Sequence, residues 1–143
     1  MRQTSINDCK LIDLRKISDP RGNLTVIEER ADIPFDIKRV YYLYDVPGGA
    51  TRGGHAYYNS EELIIALSGS FNVVLDSGDG ERQTYHLNRS YYGLLVPKMI
   101  WREMENFSTN SLALIVSSTV YNANDYIRNY DDFKKMKYNV YLP

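Results

Sequence analysis

Turn chemistry interrupts this chain roughly every 8–12 residues, and the segments left between are too short for anything but strands. CKLIDLRKI meets the polar turn SDPRGN and then LTVIEE, which reads as a hairpin. IKRVYYLYDV runs into the breaker PGGATRGG. LIIALSGSFNVVLDSGDGERQTYHL alternates apolar and polar residues around turns at Ser68-Gly69-Ser70 and Ser77-Gly78-Asp79-Gly80. SYYGLLVPKMIWREMEN and SLALIVSSTVY supply further strands. Evenly spaced short strands predict an all-β sandwich or barrel. The 13 tyrosines agree, because tyrosine favours half-buried sheet positions. Only the C-terminus has helical spacing: Asn124 or Asp125 is a candidate cap, with Tyr126, Ile127, Tyr130 and Phe133 on one face and Lys134, Lys135 and Lys137 late in the run. A short terminal helix packed outside the barrel is expected there.

The bounds are narrow. At 143 residues the chain is one domain, 1–143, with no linker and no repeat of fixed period. Seventeen basic against 18 acidic side chains give a net charge of −1, which argues against a nucleic-acid partner. The single cysteine, Cys9, leaves no intrachain disulfide and no cysteine-based zinc site. The aliphatic runs Leu63 to Leu67 and Leu112 to Ser117 are far below the ~20 residues that span a bilayer, and the polar start MRQTSINDCK is unlike a signal peptide. A soluble, cytoplasmic protein without a membrane partner is expected.

The informative stretch is Arg52-Gly53-Gly54-His55-Ala56-Tyr57-Tyr58-Asn59-Ser60-Glu61-Glu62, with Gly69 following; Gly93, Pro97, Arg102 and Asn106 form a second set. Together they resemble the two motifs of the cupins, G-x5-H-x-H-x3,4-E-x6-G and G-x5-P-x-G-x2-H-x3-N, which implies a small jelly-roll β-barrel. The departures matter. Tyr57 stands where a metal-binding cupin has its second histidine, and Arg102 where it has its last; His55 and Glu62 remain. A guanidinium repels a divalent cation and cannot become a ligand, and two ligands do not hold a transition metal. No metal site is therefore expected.

Further runs carry a narrower resemblance: Ile37-Lys38-Arg39-Val40-Tyr41-Tyr42, Arg52 to Ala56, Trp101-Arg102-Glu103-Met104 and Asp125 to Lys135, with Asp13, Arg21-Gly22 and Leu24 near the start. In this order they resemble the sugar-nucleotide 3,4-ketoisomerases, nearly end to end. That resemblance implies a dTDP-linked 4-keto-6-deoxy sugar as substrate, no cofactor, and a homodimer with exchanged N-terminal strands. It also implies a role in making a 3-amino-3,6-dideoxyhexose for a surface polysaccharide. The family habit is R-G-x-H-A-H and W-H-E-M, so Tyr57 and Arg102 leave the second acid or base open.

The chemistry selects residues. Moving a ketone from C4 to C3 removes the C3 proton, forms an enediol and protonates C4, which calls for a base titrating near neutrality. His55 is the candidate base. Tyr57, two residues on, shares its strand face and either relays the proton or lines the pocket. His86 reads as a solvent-side strand residue. Two substrate phosphates need fixed cations, and Arg39, Arg52 and Arg102 are the candidates. Tyr41 shares the Arg39 face and is placed to stack on the base or line the sugar site. Glu61 is a candidate to orient His55 or receive a sugar hydroxyl. In a gluco substrate H3 lies on the lower ring face, and a galacto product takes its new H4 from that same face. A single imidazole therefore favours the galacto product, and Arg21-Gly22, read as part of the substrate site, resembles the galacto-forming branch. The alternatives are a dTDP-sugar 3,5-epimerase, which would label C3 and C5 with solvent deuterium, a non-catalytic sugar-nucleotide binder, and a metal-dependent oxygenase, for which the ligands are missing.

Overall fold

A strand buried on both faces needs a layer on each side, and β6 (Glu62–Ser68) is such a strand. Its side chains alternate between two cores: Ile64 and Ala66 point into the barrel, while Leu63 and Ile65 point to a second cluster outside. The computed structural model describes residues 3–141, with side chains as far as Lys137. It is a jelly roll of two five-stranded antiparallel sheets. One runs in the order β1 (Lys10–Asp13), β9 (Tyr92–Val96), β6, β11 (Leu112–Ser117), β4 (Arg39–Leu43). The other runs β12 (Tyr126–Ile127), β5 (Arg52–Tyr57), β10 (Trp101–Glu105), β7 (Phe71–Asp76), β8 (Arg82–Leu87). Between them lie Phe71, Val73, Leu75, Leu87, Leu94, Val96 and Ile115, all buried. Outside the first sheet, Ile33 and Phe35 cover Leu63, Ile65, Leu95 and Val116. The expected hairpin is present as β2 (Arg15–Asp19) and β3 (Gly22–Val26), which pair only with each other. Among the described residues no helix is long and apolar enough to cross a membrane.

Two local readings change. The terminal helix, α1 (Tyr130–Tyr141), begins five residues beyond Asp125. Asn129 starts it, its Oδ1 accepting from the Asp132 N–H at 2.9 Å. Tyr126 and Ile127 instead pair with Tyr57 and Ala56 as β12, because the Asp125 carboxylate is already bound to residues 59 and 60. Phe133 still packs where expected, against Trp101 outside the second sheet. The supposed breaker also pairs in part: Arg52, Gly53 and Gly54 form the first half of β5. Arg102 opposes His55 while Met104 opposes Arg52, so β5 carries one extra residue as a bulge. Gly53 supplies its left-handed φ of +80°. The turn glycine of the first motif, Gly69, sits at φ +67°, and a Cβ there would lie 2.4 Å from Ser108 Oγ.

Candidate active site

The bulge turns the glycine-rich half of β5 so that His55 and Tyr57 line a cavity of about 280 Å³ at one end of the barrel. Facing them are Tyr41 from β4, Glu62 from β6 and Arg102 from β10; Tyr126 and Arg128 close the side beyond β12. Arg102 lies across from His55 in the ladder, its guanidinium 4.9 Å from the centre of the Tyr57 ring. The rings of His55, Tyr57 and Tyr126 are mutually close, with centres 4.7–5.1 Å apart.

The polar groups form one chain. Arg102 Nη1 donates to Glu62 Oε1 at 2.9 Å, and the Tyr41 hydroxyl donates to Glu62 Oε2 at 2.8 Å. Tyr41 has a single hydroxyl proton, so across its 3.3 Å contact with Tyr57 the Tyr57 hydroxyl donates. Arg39 approaches Glu62 Oε2 at 3.9 Å from the rim. Glu62 and Arg102 are 1% and 2% exposed, and burial pushes the Glu62 carboxyl up against the pull of Arg102 and the Tyr41 hydroxyl. Burial likewise pushes the Tyr57 and Tyr41 phenols above their ordinary range, with the Glu62 charge adding to it. Both keep their protons at neutral pH.

His55 departs from the expected near-neutral titration. Burial, then the charges of Arg102, Arg128 and Arg39, hold its imidazole down at about 3. At neutral pH it is therefore an uncharged ring. Among the described residues, the buried side-chain nitrogens without a hydrogen-bond partner are His55 Nε2, Arg102 Nε and Arg39 Nε. Buried polar atoms are ordinarily paired, so three orphans around one cavity mark where a polar ligand belongs.

The expected set is thus largely brought together. His55, Tyr57, Tyr41, Arg52 and Arg102 line the cavity, and Arg39 stands at its rim beside Tyr41. Two expected residues are elsewhere. Arg21 is at the tip of the β2–β3 hairpin, its side chain 91% exposed and paired with Asp19. Glu61 faces away, its backbone tied to Ser118, and its neighbour Glu62 is the carboxylate in the pocket, bound to Arg102 and Tyr41 rather than to His55. In a strand, adjacent residues point to opposite faces, so only one of the two glutamates can enter. His86 is exposed on β8, with Nδ1 2.7 Å from Asn72 Oδ1, as expected. Tyr126 and Arg128 were hidden by the helical reading of their segment. Among the described residues no three His, Cys, Asp or Glu lie close enough together to hold a metal ion, and Arg102 fills the space beside Glu62.

Residues 7–138 match the family described as FdtA: WxcM-like, C-terminal. A TDP-4-oxo-6-deoxy-alpha-D-glucose-3,4-oxoisomerase of Aneurinibacillus thermoaerophilus is 44% identical over 126 residues, 88% of this chain and 90% of that protein. A histidine-to-asparagine mutant of the 3,4-ketoisomerase QdtA from Thermoanaerobacterium thermosaccharolyticum, in complex with TDP-4-keto-6-deoxyglucose, superposes with a TM-score of 0.92 at 36% identity, covering 97% of this chain and 100% of that one. The TDP-quinovose 3,4-ketoisomerase WlaRB of Campylobacter jejuni superposes at 0.87 with 43% identity, covering 91% and 99%.

Proposed function

Since the chain belongs to the FdtA family and is a TDP-sugar 3,4-ketoisomerase, we propose that its substrate is dTDP-4-keto-6-deoxy-D-glucose, that His55 is its base, and that it works without a metal or cofactor. The carrying observation is that His55, its buried Nε2 without a hydrogen-bond partner, lines a cavity ringed by arginines and tyrosines. His55 Nε2 takes the proton from C3 as the C3=C4 double bond forms and charge gathers on O4. The O3 proton passes to O4, C4 is protonated, and the ketone is left at C3. Tyr57, kept protonated by its surroundings, turns its single hydroxyl proton from Tyr41 to the developing oxyanion. Arg39, Arg52 and Arg128 face the mouth, where the diphosphate enters. Burial is the larger part of what holds the imidazole down; the diphosphate's negative charge offsets the arginine part, so substrate binding returns some basicity to His55.

One imidazole on one face of the sugar returns its proton to the face it came from, which makes the 3-keto-6-deoxy-galactose derivative the proposed product. A gluco product is the second reading, favoured by the 43% identity to a relative named for TDP-quinovose. Either product is a ketone at C3, suited to an aminotransferase that installs a 3-amino group on the way to a surface polysaccharide, in the cytoplasm. The active unit is a homodimer that exchanges its N-terminal hairpin. Ile17 and Leu24 on the hairpin are each 57% exposed, and Val40 and Tyr42 on the open edge strand are 54% and 59% exposed, so folding one chain leaves both surfaces bare. Exchange would also carry Arg21 to the partner. A monomer in sedimentation equilibrium at micromolar concentration ends that reading.

The test is incubation with dTDP-4-keto-6-deoxyglucose in excess chelator, followed by NMR of the product. Turnover is expected to survive chelation and to fall about 10³-fold in His55→Asn, with Tyr57→Phe losing about 10²-fold. Full activity in His55→Asn moves the base elsewhere. An axial H4 in the product replaces the galacto reading with the gluco one.

A further inference from the structure

Residues 118–127 carry no long element, yet they form one wall of the cavity through Tyr126, and a buried carboxylate among them ties that wall to the β5–β6 connection. Asp125 is 7% exposed. Its Oδ1 accepts from the backbone N–H of Asn59 at 2.8 Å and its Oδ2 from Ser60 Oγ at 2.5 Å, while its own carbonyl accepts from the N–H of Tyr58 at 3.0 Å. Ser60 Oγ also lies 2.5 Å from Thr119 Oγ1, which ties in the segment after β11. The three residues thus held, 58–60, join β5, which carries His55 and Tyr57, to β6, which opens with Glu62. Directly after Asp125 comes Tyr126, paired with Tyr57 in the ladder and packed with its ring centre 5.1 Å from that of His55, with the Arg128 guanidinium 4.2 Å over its ring. Apart from this carboxylate, the wall is held by the paired bonds between Ser118 and Glu61, by the Tyr58 N–H on the Asp125 carbonyl, by the two residues of β12 and by the burial of Ile127.

We infer that Asp125 is a positioning residue of the isomerase: it clamps the wall to the β5–β6 connection and so holds Tyr126 against His55 in the geometry proton transfer needs. This rests on the reading of His55 as the base. The carboxylate contacts no cavity surface, and its effect on turnover passes through Tyr126. Loosening the clamp by about 1 Å is enough to cost about 100-fold in rate without removing any group that binds the nucleotide.

The experiment is a double-mutant cycle on kcat, Asp125→Ala with Tyr126→Ala, at a temperature where circular dichroism shows each variant folded. Asp125→Ala alone is expected to lower kcat about 100-fold and to leave the dissociation constant for TDP within about twofold, whereas in the Tyr126→Ala background it costs less than about threefold more. Asp125→Asn, whose amide still accepts from the Asn59 N–H and can turn its NH₂ to Ser60, is expected to restore most of kcat. If Asp125→Ala does not fold, Ser60→Ala takes its place in the cycle with a smaller first loss. Equal losses in both backgrounds, or a matching loss of TDP affinity, make Asp125 a general structural residue and overturn the inference. Failure of the underlying reading looks different: His55→Asn would then remain active.

Discussion

The same inward-facing rows of the barrel change character within two residues. On β6 the row reads Glu62, Ile64, Ala66; on β10 it reads Arg102, Met104; on β4, Tyr41, Leu43. Two residues along a strand is about 6.6 Å, and over that distance an ion pair under two tyrosines gives way to the apolar core around Phe71 and Leu87. The apolar end is what a jelly roll needs in order to fold. The polar end is not. A buried guanidinium and carboxylate lose their hydration, and their attraction commonly fails to offset that loss, while Arg102 Nε and His55 Nε2 remain unpaired. A region that costs stability and is nonetheless built from five strands is there for chemistry.

Substitution separates the two ends most sharply. Glu62→Ala strands the Arg102 charge and is expected to cost about 3–5 kcal/mol with complete loss of turnover. Replacing the pair together, as Glu62→Leu with Arg102→Met, is expected to be neutral or stabilising by about 1–4 kcal/mol while activity stays lost. At the apolar end, Phe71→Ala has no such compensation and is expected to cost about 3–5 kcal/mol, while the folded fraction keeps its kcat. Urea unfolding and turnover on the same preparations check all three. A destabilised double replacement would mean that the ion pair holds the barrel together, and the contrast between the ends would fail.

That contrast also marks how far the sequence could be read. Period-2 patterning and turn glycines carry the barrel, since each strand must bury alternate residues and each tight corner needs a particular φ. They placed His55 and Tyr57 on one face and set Arg102 at the histidine position of a cupin motif. They failed where a tertiary partner outbids local propensity. Asp125 followed by apolar residues at helical spacing looks like a helix start, until Asn59 and Ser60, 65 or more residues away in the chain, claim its carboxylate. With that segment misread, Tyr126 and Arg128 vanish from the site. Glu61 stays outside the pocket because the phase of β6, set by its register with its neighbours, turns the adjacent Glu62 inward. The depressed basicity of His55 lay further out of reach, because it comes from burial in the folded barrel and then from charges on β10, on β4 and in the loop beyond β12.

The smallest effect is in acid. His55 titrates at about 3 in the folded protein and near 6.5 when unfolded. Between those values the unfolded chain binds the extra proton, so this residue's contribution to stability is full above pH 6.5 and is lost as pH falls toward 3. The groups facing the ring are Arg102 on β10, Arg128 beyond β12, Arg39 on β4, and the phenols of Tyr57 and Tyr126. Glu62, raised by burial, works in the opposite sense as it protonates in the fold. The measurement is therefore a difference: stability from pH 7 to 4.5 in the wild type and in His55→Asn, which keeps Glu62 and His86 in both. The wild type is expected to lose more stability on acidification than the variant. At the apolar end, Phe71→Ala should shift the whole curve without changing its slope. Saturating TDP, by pairing the arginines around the ring, should raise the imidazole and flatten the wild-type slope, where thymidine alone should not. Parallel curves for wild type and His55→Asn would mean that the ring is not held in its neutral form, and the polar end would lose the property that makes it a base.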